Sequence, residues 1–185
     1  MRIITGKHKG RKLEQLQIAE GKEKQKLTTR PTMDRVKESI FNILVYKVQG
    51  AKVLDLFAGS GSLGIEALSR GASEATFVDL SKEACDVLKR NLTKLGENQK
   101  VLNTDYKTAL EAFAASGNKF DIIFLDPPYG SNFGEDAFKK IIQLELLEKD
   151  GTVVFESGKK LETAEGFNFR EQKYSNKFVY IITGK

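Results

Sequence analysis

The 185-residue chain is poor in the side chains that build many familiar sites: it has one cysteine, one histidine and no tryptophan. With Cys85 alone, an internal disulfide is impossible and a zinc site made from several cysteines is excluded. With His8 alone, a Ser-His-Asp triad and a multi-histidine metal site are disfavoured, so we expect no metal. No apolar run approaches the roughly 18 residues that a membrane helix needs, and the first ten residues lack the apolar core of a signal peptide. We therefore expect a soluble, cytoplasmic protein without membrane contact.

Positive charge is concentrated at the start of the chain. Residues 1–50 carry 12 Lys and Arg against 5 Asp and Glu, whereas residues 51–185 carry 18 against 20. A compact positive patch on a near-neutral body favours a polyanionic partner. The alternative is a solvated basic surface without a partner.

The pattern divides the chain at about residue 48. In the first part, residues 2–5 and 11–18 surround two glycines and predict a basic hairpin, and residues 19–29 predict a polar loop. A helix is predicted over residues 33–48, where apolar residues recur at helical spacing. We treat residues 1–48 as a basic N-terminal extension and residues 49–185 as a separate domain.

The second part alternates short strands with helices. The predicted strands are Val53–Phe57, Ala75–Leu80, Val101–Asp105, Asp121–Asp126 and Thr152–Glu156. The predicted helices cover residues 62–70, 82–95, 108–116 and 135–149, with Cys85 on a core-facing side. Phe169–Tyr174 and Phe178–Thr183 predict a final antiparallel hairpin. This alternation predicts an α/β fold, a mostly parallel, doubly wound Rossmann-like sheet whose ligands bind at the carboxyl ends of the strands.

A glycine loop follows the first strand of this domain. Gly59, Gly61 and Gly64 satisfy G-x-G-x-x-G between a strand and a helix, and Asp79, 20 residues after Gly59, can accept the hydroxyl hydrogens of a ribose. The loop alone suggests a dinucleotide oxidoreductase. However, a carboxylate at Asp55 would crowd a pyrophosphate and suits a cationic group, such as a sulfonium or an ammonium.

The fourth strand leads into Asp126-Pro127-Pro128-Tyr129. The prolines fix the backbone and remove two donors, so that a carboxylate, a carbonyl and an aromatic ring are presented on a stiff turn. Asp126 and the Pro127 carbonyl can accept two N–H hydrogens of a ligand, and the ring of Tyr129 can stack on a planar group. The alternative is only a rigid exit from the strand.

These motifs resemble known methyltransferases. The loop with Asp55 resembles motif I of S-adenosylmethionine-dependent methyltransferases, and the Asp-Pro-Pro-Tyr turn resembles motif IV of amino-group methyltransferases. Together with the start at Arg2 and the Arg30-Pro31-Thr32 block, the whole chain resembles the RsmD family, bacterial methyltransferases acting on guanine N2 of 16S rRNA.

The resemblance implies a class I methyltransferase fold, S-adenosyl-L-methionine as cofactor, and 16S rRNA as partner, within a 30S particle or assembly intermediate. It implies that residues 49–185 form the catalytic domain and that residues 1–48 face the RNA. The implied catalytic residues are Asp126, Pro127, Pro128 and Tyr129. The implied cofactor-binding residues are Arg30, Thr32, Asp55, Phe57, Ala58, Gly59, Gly61, Asp79, Leu80, Asp105 and Tyr106, although Asp105 could instead cap a helix. The implied RNA-binding residues are Arg2, Lys7, His8, Lys9, Arg11, Lys12 and Arg35.

Three other functions stay open at this point. The same turn would serve an N6-adenine or other amino-group methyltransferase. A basic extension beside a pocket that has lost its catalytic activity would serve a non-catalytic RNA-binding assembly factor. A dinucleotide oxidoreductase is the remaining alternative, because the glycine loop alone does not exclude it.

Overall fold

A computed structural model describes residues 1–16, 30–128, 130–161, 165–174 and 177–184, with the backbone only for residues 30–33. Within these ranges the strands are β1 (Lys52–Asp55), β2 (Glu74–Asp79), β3 (Val101–Asn103), β4 (Phe120–Leu125), β5 (Leu147–Ser157), β6 (Phe167–Tyr174) and β7 (Lys177–Gly184). The helices are α1 (Arg30–Ile43), α2 (Ser62–Ser69), α3 (Lys82–Leu95), α4 (Tyr106–Ala115) and α5 (Phe133–Gln143).

The strands form one sheet in the order β3-β2-β1-β4-β5-β7-β6. Strands β1 to β5 pair in parallel, and β7 joins β5 and β6 through antiparallel pairs. The winding reverses where β1 meets β4, which is where an open α/β sheet binds its ligands. The predicted fold, a mostly parallel doubly wound sheet with a C-terminal antiparallel hairpin, is confirmed.

The two faces of the sheet bury separate apolar clusters. One face packs against α1, α2 and α3 through residues such as Ile40, Ile65 and Leu88, and the other packs against α4 and α5 through Leu110 and Phe138. Cys85 is buried in α3, as its helical position predicts. Parallel strands covered on both faces explain the nearly continuous apolar runs in the sequence.

One predicted helix is wrong at its end. The helix predicted over 135–149 ends at Gln143, Glu145 adopts a left-handed φ of 53°, and β5 begins at Leu147. The cause is an ambiguous apolar run, because Leu144, Leu146 and Leu147 fit both helical and strand spacing. Three other elements end earlier than predicted. The helix predicted over 33–48 ends at Ile43, and the first and third strands end at Asp55 and Asn103.

The first residues form a small hairpin that is packed onto the domain. Arg2 and Lys12 make an antiparallel bridge, and the Ile3 amide donates to the Arg11 carbonyl at 3.0 Å. The predicted hairpin is therefore confirmed over residues 2–12, whereas residues 17–18 and the loop predicted at 19–29 lie outside the described residues. Ile3 and Leu13 are buried in the same cluster as α1, α2 and α3.

A buried carboxylate joins this hairpin to the rest of the chain. Glu66, fully buried in α2, accepts hydrogen bonds from the backbone amides of Ile4 and Thr5 at 2.8 and 3.0 Å. It also pairs with Lys37 of α1 at 3.1 Å and with Arg70 at 2.8 Å. Because α2 follows the glycine loop directly, these bonds fix the hairpin in place relative to that loop.

The tightest contact of the hairpin gives a test by substitution. Gly6 has a φ of +88°, and a Cβ there would lie 1.7 Å from the Ser69 carbonyl oxygen. Gly10 has a similar φ of +81°, but nothing lies within 4 Å of its Cβ position. We expect Gly6→Ala to lower the free energy of unfolding by about 3 kcal/mol and Gly10→Ala by only about 1 kcal/mol, measured by urea denaturation. Equal losses would show that the Gly6 contact does not form.

Candidate active site

Four acidic side chains lie in a row at the carboxyl ends of adjacent strands. Asp79 and Asp55 end β2 and β1, Asp126 follows β4, and Glu156 lies one residue before the end of β5. In the registers, Asp55 pairs with both Phe77 and Phe124, and Leu125 pairs with Phe155. Since side chains alternate along a strand, all four acids share the face that α1, α2 and α3 cover.

Asp55 is the most deeply buried of these acids, at 2% exposure. The Gly64 amide donates a hydrogen bond to its Oδ2 at 3.0 Å. Burial raises the pKa of Asp55 to about 7, the charges of Asp126 and Asp79 add to this shift, and the Gly64 bond opposes it. A cationic group against this carboxylate would favour its ionised form, whereas a pyrophosphate would not.

The glycine loop places its backbone beside Asp79. The Gly59 amide donates to Oδ2 of Asp79 at 2.7 Å, and the Ser81 amide donates to Oδ1 at 2.8 Å. Each carboxylate oxygen keeps a further lone pair, so the half-buried Asp79 can still accept ribose hydroxyl hydrogens. A Cβ at Gly61 would lie 2.3 Å from Leu88, whereas the space at Gly59 is open. A ligand can therefore approach the backbone closely at Gly59, whereas Leu88 fills the space beside Gly61. The neighbouring Ala58 is buried.

Asp105 caps a helix. Its Oδ1 accepts hydrogen bonds from the amides of Lys107 and Thr108, both at 3.0 Å, and its Oδ2 accepts one from the Thr108 hydroxyl at 2.6 Å. These bonds lower the pKa of the Asp105 carboxyl. The alternative that it serves as a helix cap is confirmed, and its contact with a cofactor stays a prediction.

An apolar surface lies near these acids. The rings of Phe57, Tyr106 and Phe133 follow one another at centroid distances of 5.5 and 5.7 Å. Burial, followed by a 2.7 Å bond to Asp136, raises the pKa of Tyr106 to about 12, so its hydroxyl stays protonated. Leu80, after β2, is 74% exposed, and Phe133 is 48% exposed. Exposed apolar side chains of this kind suit the flat face of a base. The sequence did not predict Phe133 as a residue of the site.

Asp126 opens into a pocket of about 310 Å³ beside this row. Its lining includes Asp126, Pro127, Pro128, Phe155, Glu156 and Lys159. The turn is held after the prolines because the Ser131 hydroxyl donates to the Pro128 carbonyl at 2.7 Å. The Asp126 side chain is exposed to solvent. The surrounding protein atoms nevertheless raise the pKa of its carboxyl, and the charge of Lys177 opposes this shift.

The chain is similar to known proteins over almost its whole length. A family model described as "Conserved hypothetical protein 95" matches residues 1–183. The putative rRNA methyltransferase YlbH of Bacillus subtilis is 42% identical, over 100% of this chain and 96% of its own length. Ribosomal RNA small subunit methyltransferase D of Haemophilus influenzae is 38% identical, over 94% of this chain and 88% of its own length. The chain belongs to this family, the RsmD family.

A solved structure supports the assignment. That of the putative methyltransferase YhhF from Escherichia coli superposes with a TM-score of 0.84 at 30% identity, covering 100% of this chain and 98% of that one. The resemblance inferred from the sequence motifs is therefore confirmed, and the fold is that of class I methyltransferases.

Three predicted site residues of the RsmD-family chain are not fully described: Tyr129 lies outside the described residues, as do the side chains of Arg30 and Thr32. Within the described ranges, no group of three His, Cys, Asp or Glu side chains is arranged to hold a metal ion. No described helix is long and apolar enough to span a membrane.

Four of the seven predicted RNA-binding side chains make contacts within the chain. Lys7 and His8 both reach Oε1 of Glu97, at 2.8 and 2.7 Å. Arg2 pairs with Asp34 at 3.1 Å, and Arg11 donates to the Lys94 carbonyl at 3.1 Å. The side chains of three further basic residues are exposed on the same extension: Lys9, Lys12 and Arg35. The positive patch exists, but part of its charge is neutralised by acids far away in the sequence.

Proposed function

We propose that this RsmD-family chain transfers a methyl group from S-adenosylmethionine to the exocyclic N2 amine of a guanine in 16S rRNA. The observation that carries the proposal is the placement of Asp126. It lies on a turn that two prolines stiffen, beside a pocket and in the same row as Asp55 and Asp79. A cation-binding loop next to an amine-binding carboxylate is the arrangement that methyl transfer to nitrogen requires.

The residues of the loop fit S-adenosylmethionine. The buried Asp55 suits the positive charge of the amino-acid ammonium or the sulfonium, because its pKa of about 7 would fall on contact with a cation. Asp79 offers acceptors to the ribose hydroxyls, and Leu80 offers an exposed apolar surface to the adenine. When bound, this cofactor supplies an electrophilic methyl group on sulfur.

The reaction depends on how the pocket holds the amine. Asp126 and the Pro127 carbonyl accept the two N–H hydrogens of the amine, which directs the nitrogen lone pair towards the methyl group. As the new C–N bond forms, the C–S bond breaks and the nitrogen becomes acidic. It then loses one proton to Asp126 or to solvent. Most of the rate enhancement would come from this positioning.

The target would be presented by a ribosomal particle. The relatives named above are called ribosomal RNA or small-subunit methyltransferases. The hairpin adds an exposed basic surface next to the glycine loop, because Glu66 anchors it to α2. A guanine that is paired or stacked must be unpaired before it can enter the pocket.

The direct test is methylation with purified components. Labelled S-adenosylmethionine would be incubated with 30S particles from a strain that lacks the gene, with free 16S rRNA, and with DNA. We expect label in N2-methylguanosine, recovered mainly from particles. Label found only in N6-methyladenosine would support the other amino-group methyltransferase, and full complementation by Asp126→Ala would support a non-catalytic assembly factor.

Neutralising exposed lysines of the hairpin should weaken RNA binding. We expect Lys9→Ala with Lys12→Ala to lower the affinity for 16S rRNA and to reduce the slope of log affinity against log salt by roughly 1.5, because two phosphate contacts are lost. Filter binding between 50 and 200 mM salt would measure this. As a control, Lys139→Ala with Lys149→Ala removes two exposed charges outside the extension. If both pairs change the slope equally, the hairpin is not the RNA-binding surface.

A further inference from the structure

The pocket beside Asp126 contains a second carboxylate that the proposed reaction does not use. Leu125 of β4 and Phe155 of β5 are register partners, so Asp126 and Glu156 are the next residues along two adjacent parallel strands. Both line the pocket of about 310 Å³. Two acceptors therefore stand next to each other where the target base would bind.

Glu156 is held in this position by an ion pair. Lys177 of β7 lies 3.3 Å from its Oε2, and the two side chains are only 17% and 11% exposed. Burial raises the pKa of Glu156 well above its ordinary value, and the charge of Asp126 raises it further. The nearby Lys177 ammonium opposes this shift. N–H donors from a ligand would favour the ionised form of both carboxylates in the same way.

The Watson–Crick edge of guanine is such a ligand. Its N1–H and N2 amine are adjacent donors, whereas a base with a lone pair at N1 would present an acceptor to the second carboxylate. We propose that Glu156 determines specificity by accepting the N1–H of guanine, while Asp126 and the Pro127 carbonyl hold the N2 amine. This inference rests on the proposed function, and it explains how the pocket would distinguish guanine from other bases that carry an amine.

A purely structural role for Glu156 makes a different prediction. If the carboxylate served only to pair with Lys177 between β5 and β7, its replacement would change stability and would reduce the methylation of all substrates by the same factor. If Glu156 accepts a hydrogen bond from N1–H, its replacement should reduce the methylation only of substrates that carry that hydrogen. The decisive quantity is therefore a ratio between two substrates.

The experiment compares guanine with 2-aminopurine at the methylated position. 2-Aminopurine keeps the 2-amine but has no hydrogen on N1. Both bases would be placed in 16S rRNA by ligation, the RNA would be assembled into 30S particles, and kcat/KM would be measured for each. We expect the wild-type protein to prefer guanine about 100-fold. Glu156→Gln should lower kcat/KM for guanine and bring the two substrates to within a few-fold of each other.

Glu74→Gln is the matched control. Glu74 is also a strand carboxylate near a lysine, with Lys52 at 3.9 Å, but it begins β2 at the end of the sheet opposite to the pocket. We expect this variant to keep the 100-fold preference. A wild-type protein that methylates both bases equally would overturn the inference without any variant, as would a Glu156→Gln protein that keeps the full preference. If the wild type forms no N2-methylguanosine on unmodified particles, the proposed function itself fails.

Discussion

Replacing Asp126 by asparagine should lower kcat for RNA methylation about 1,000-fold. Asparagine has the same shape, but its amide offers a single acceptor oxygen and directs N–H hydrogens at the target amine. The amine would then be neither oriented nor relieved of its proton, so the loss should appear in kcat. Single-turnover methylation of 30S particles would measure it, with calorimetry for the cofactor.

The affinity for S-adenosylmethionine should change little in the same variant, because Asp55 and Asp79, at the ends of β1 and β2, remain. Asp121→Asn is the matched control: it removes a carboxylate from the same strand, at the opposite end, where Asp121 accepts the Lys52 amide at 2.8 Å. A parallel loss of cofactor binding in Asp126→Asn, or an unchanged kcat, would contradict the role given to this carboxylate.

Much of this site could be predicted from local sequence. In a parallel sheet, an apolar run that ends in an acid places that acid at the carboxyl edge, where ligands bind. This rule alone predicts that Asp55, Asp79 and Asp126 lie at the same edge of the sheet, and the structure places them in one row on one face. The proline pair was equally informative, since it restricts the backbone wherever it occurs.

Glu156 shows where local sequence is insufficient. It ended a predicted strand and so carried the same signal as the other acids. Its importance depends on β5 lying next to β4 and on the register that aligns Leu125 with Phe155. Sheet order and register arise from contacts between residues about 30 positions apart, and no local pattern contains them.

The basic extension shows the same limit for charge. His8 and Lys7 were predicted to contact RNA because they lie in a positive segment, but Glu97 reaches both of them from the end of α3, 89 residues after His8. A net charge summed over a segment does not show which of its charges are already paired. Salt bridges between distant segments are decided by tertiary packing, so only the structure shows that Lys7 is already paired.

Replacing Asp55 by asparagine should weaken S-adenosylmethionine binding about 100-fold at pH 7.5, because a buried partner of a cationic group is lost. The wild-type affinity should itself depend on pH. With a pKa of about 7, Asp55 is mostly ionised at pH 7.5 and about one tenth ionised at pH 6. Only the ionised form attracts the cation, so the apparent affinity should fall about eightfold as the pH is lowered over this range.

The origin of this pKa allows a second check that links the two acids. Burial is the main cause of the raised pKa of Asp55, and the charge of Asp126 contributes to it. Asp126→Asn should therefore move the midpoint of the pH dependence below 7, whereas Asp55→Asn should abolish the dependence.

Calorimetry with S-adenosylhomocysteine, which keeps the ammonium but lacks the sulfonium, identifies the group that Asp55 contacts. The pH dependence of binding persists if that group is the ammonium and disappears if it is the sulfonium. An affinity for S-adenosylmethionine that is constant between pH 6 and 7.5 would show that Asp55 does not bind the cationic part of the cofactor.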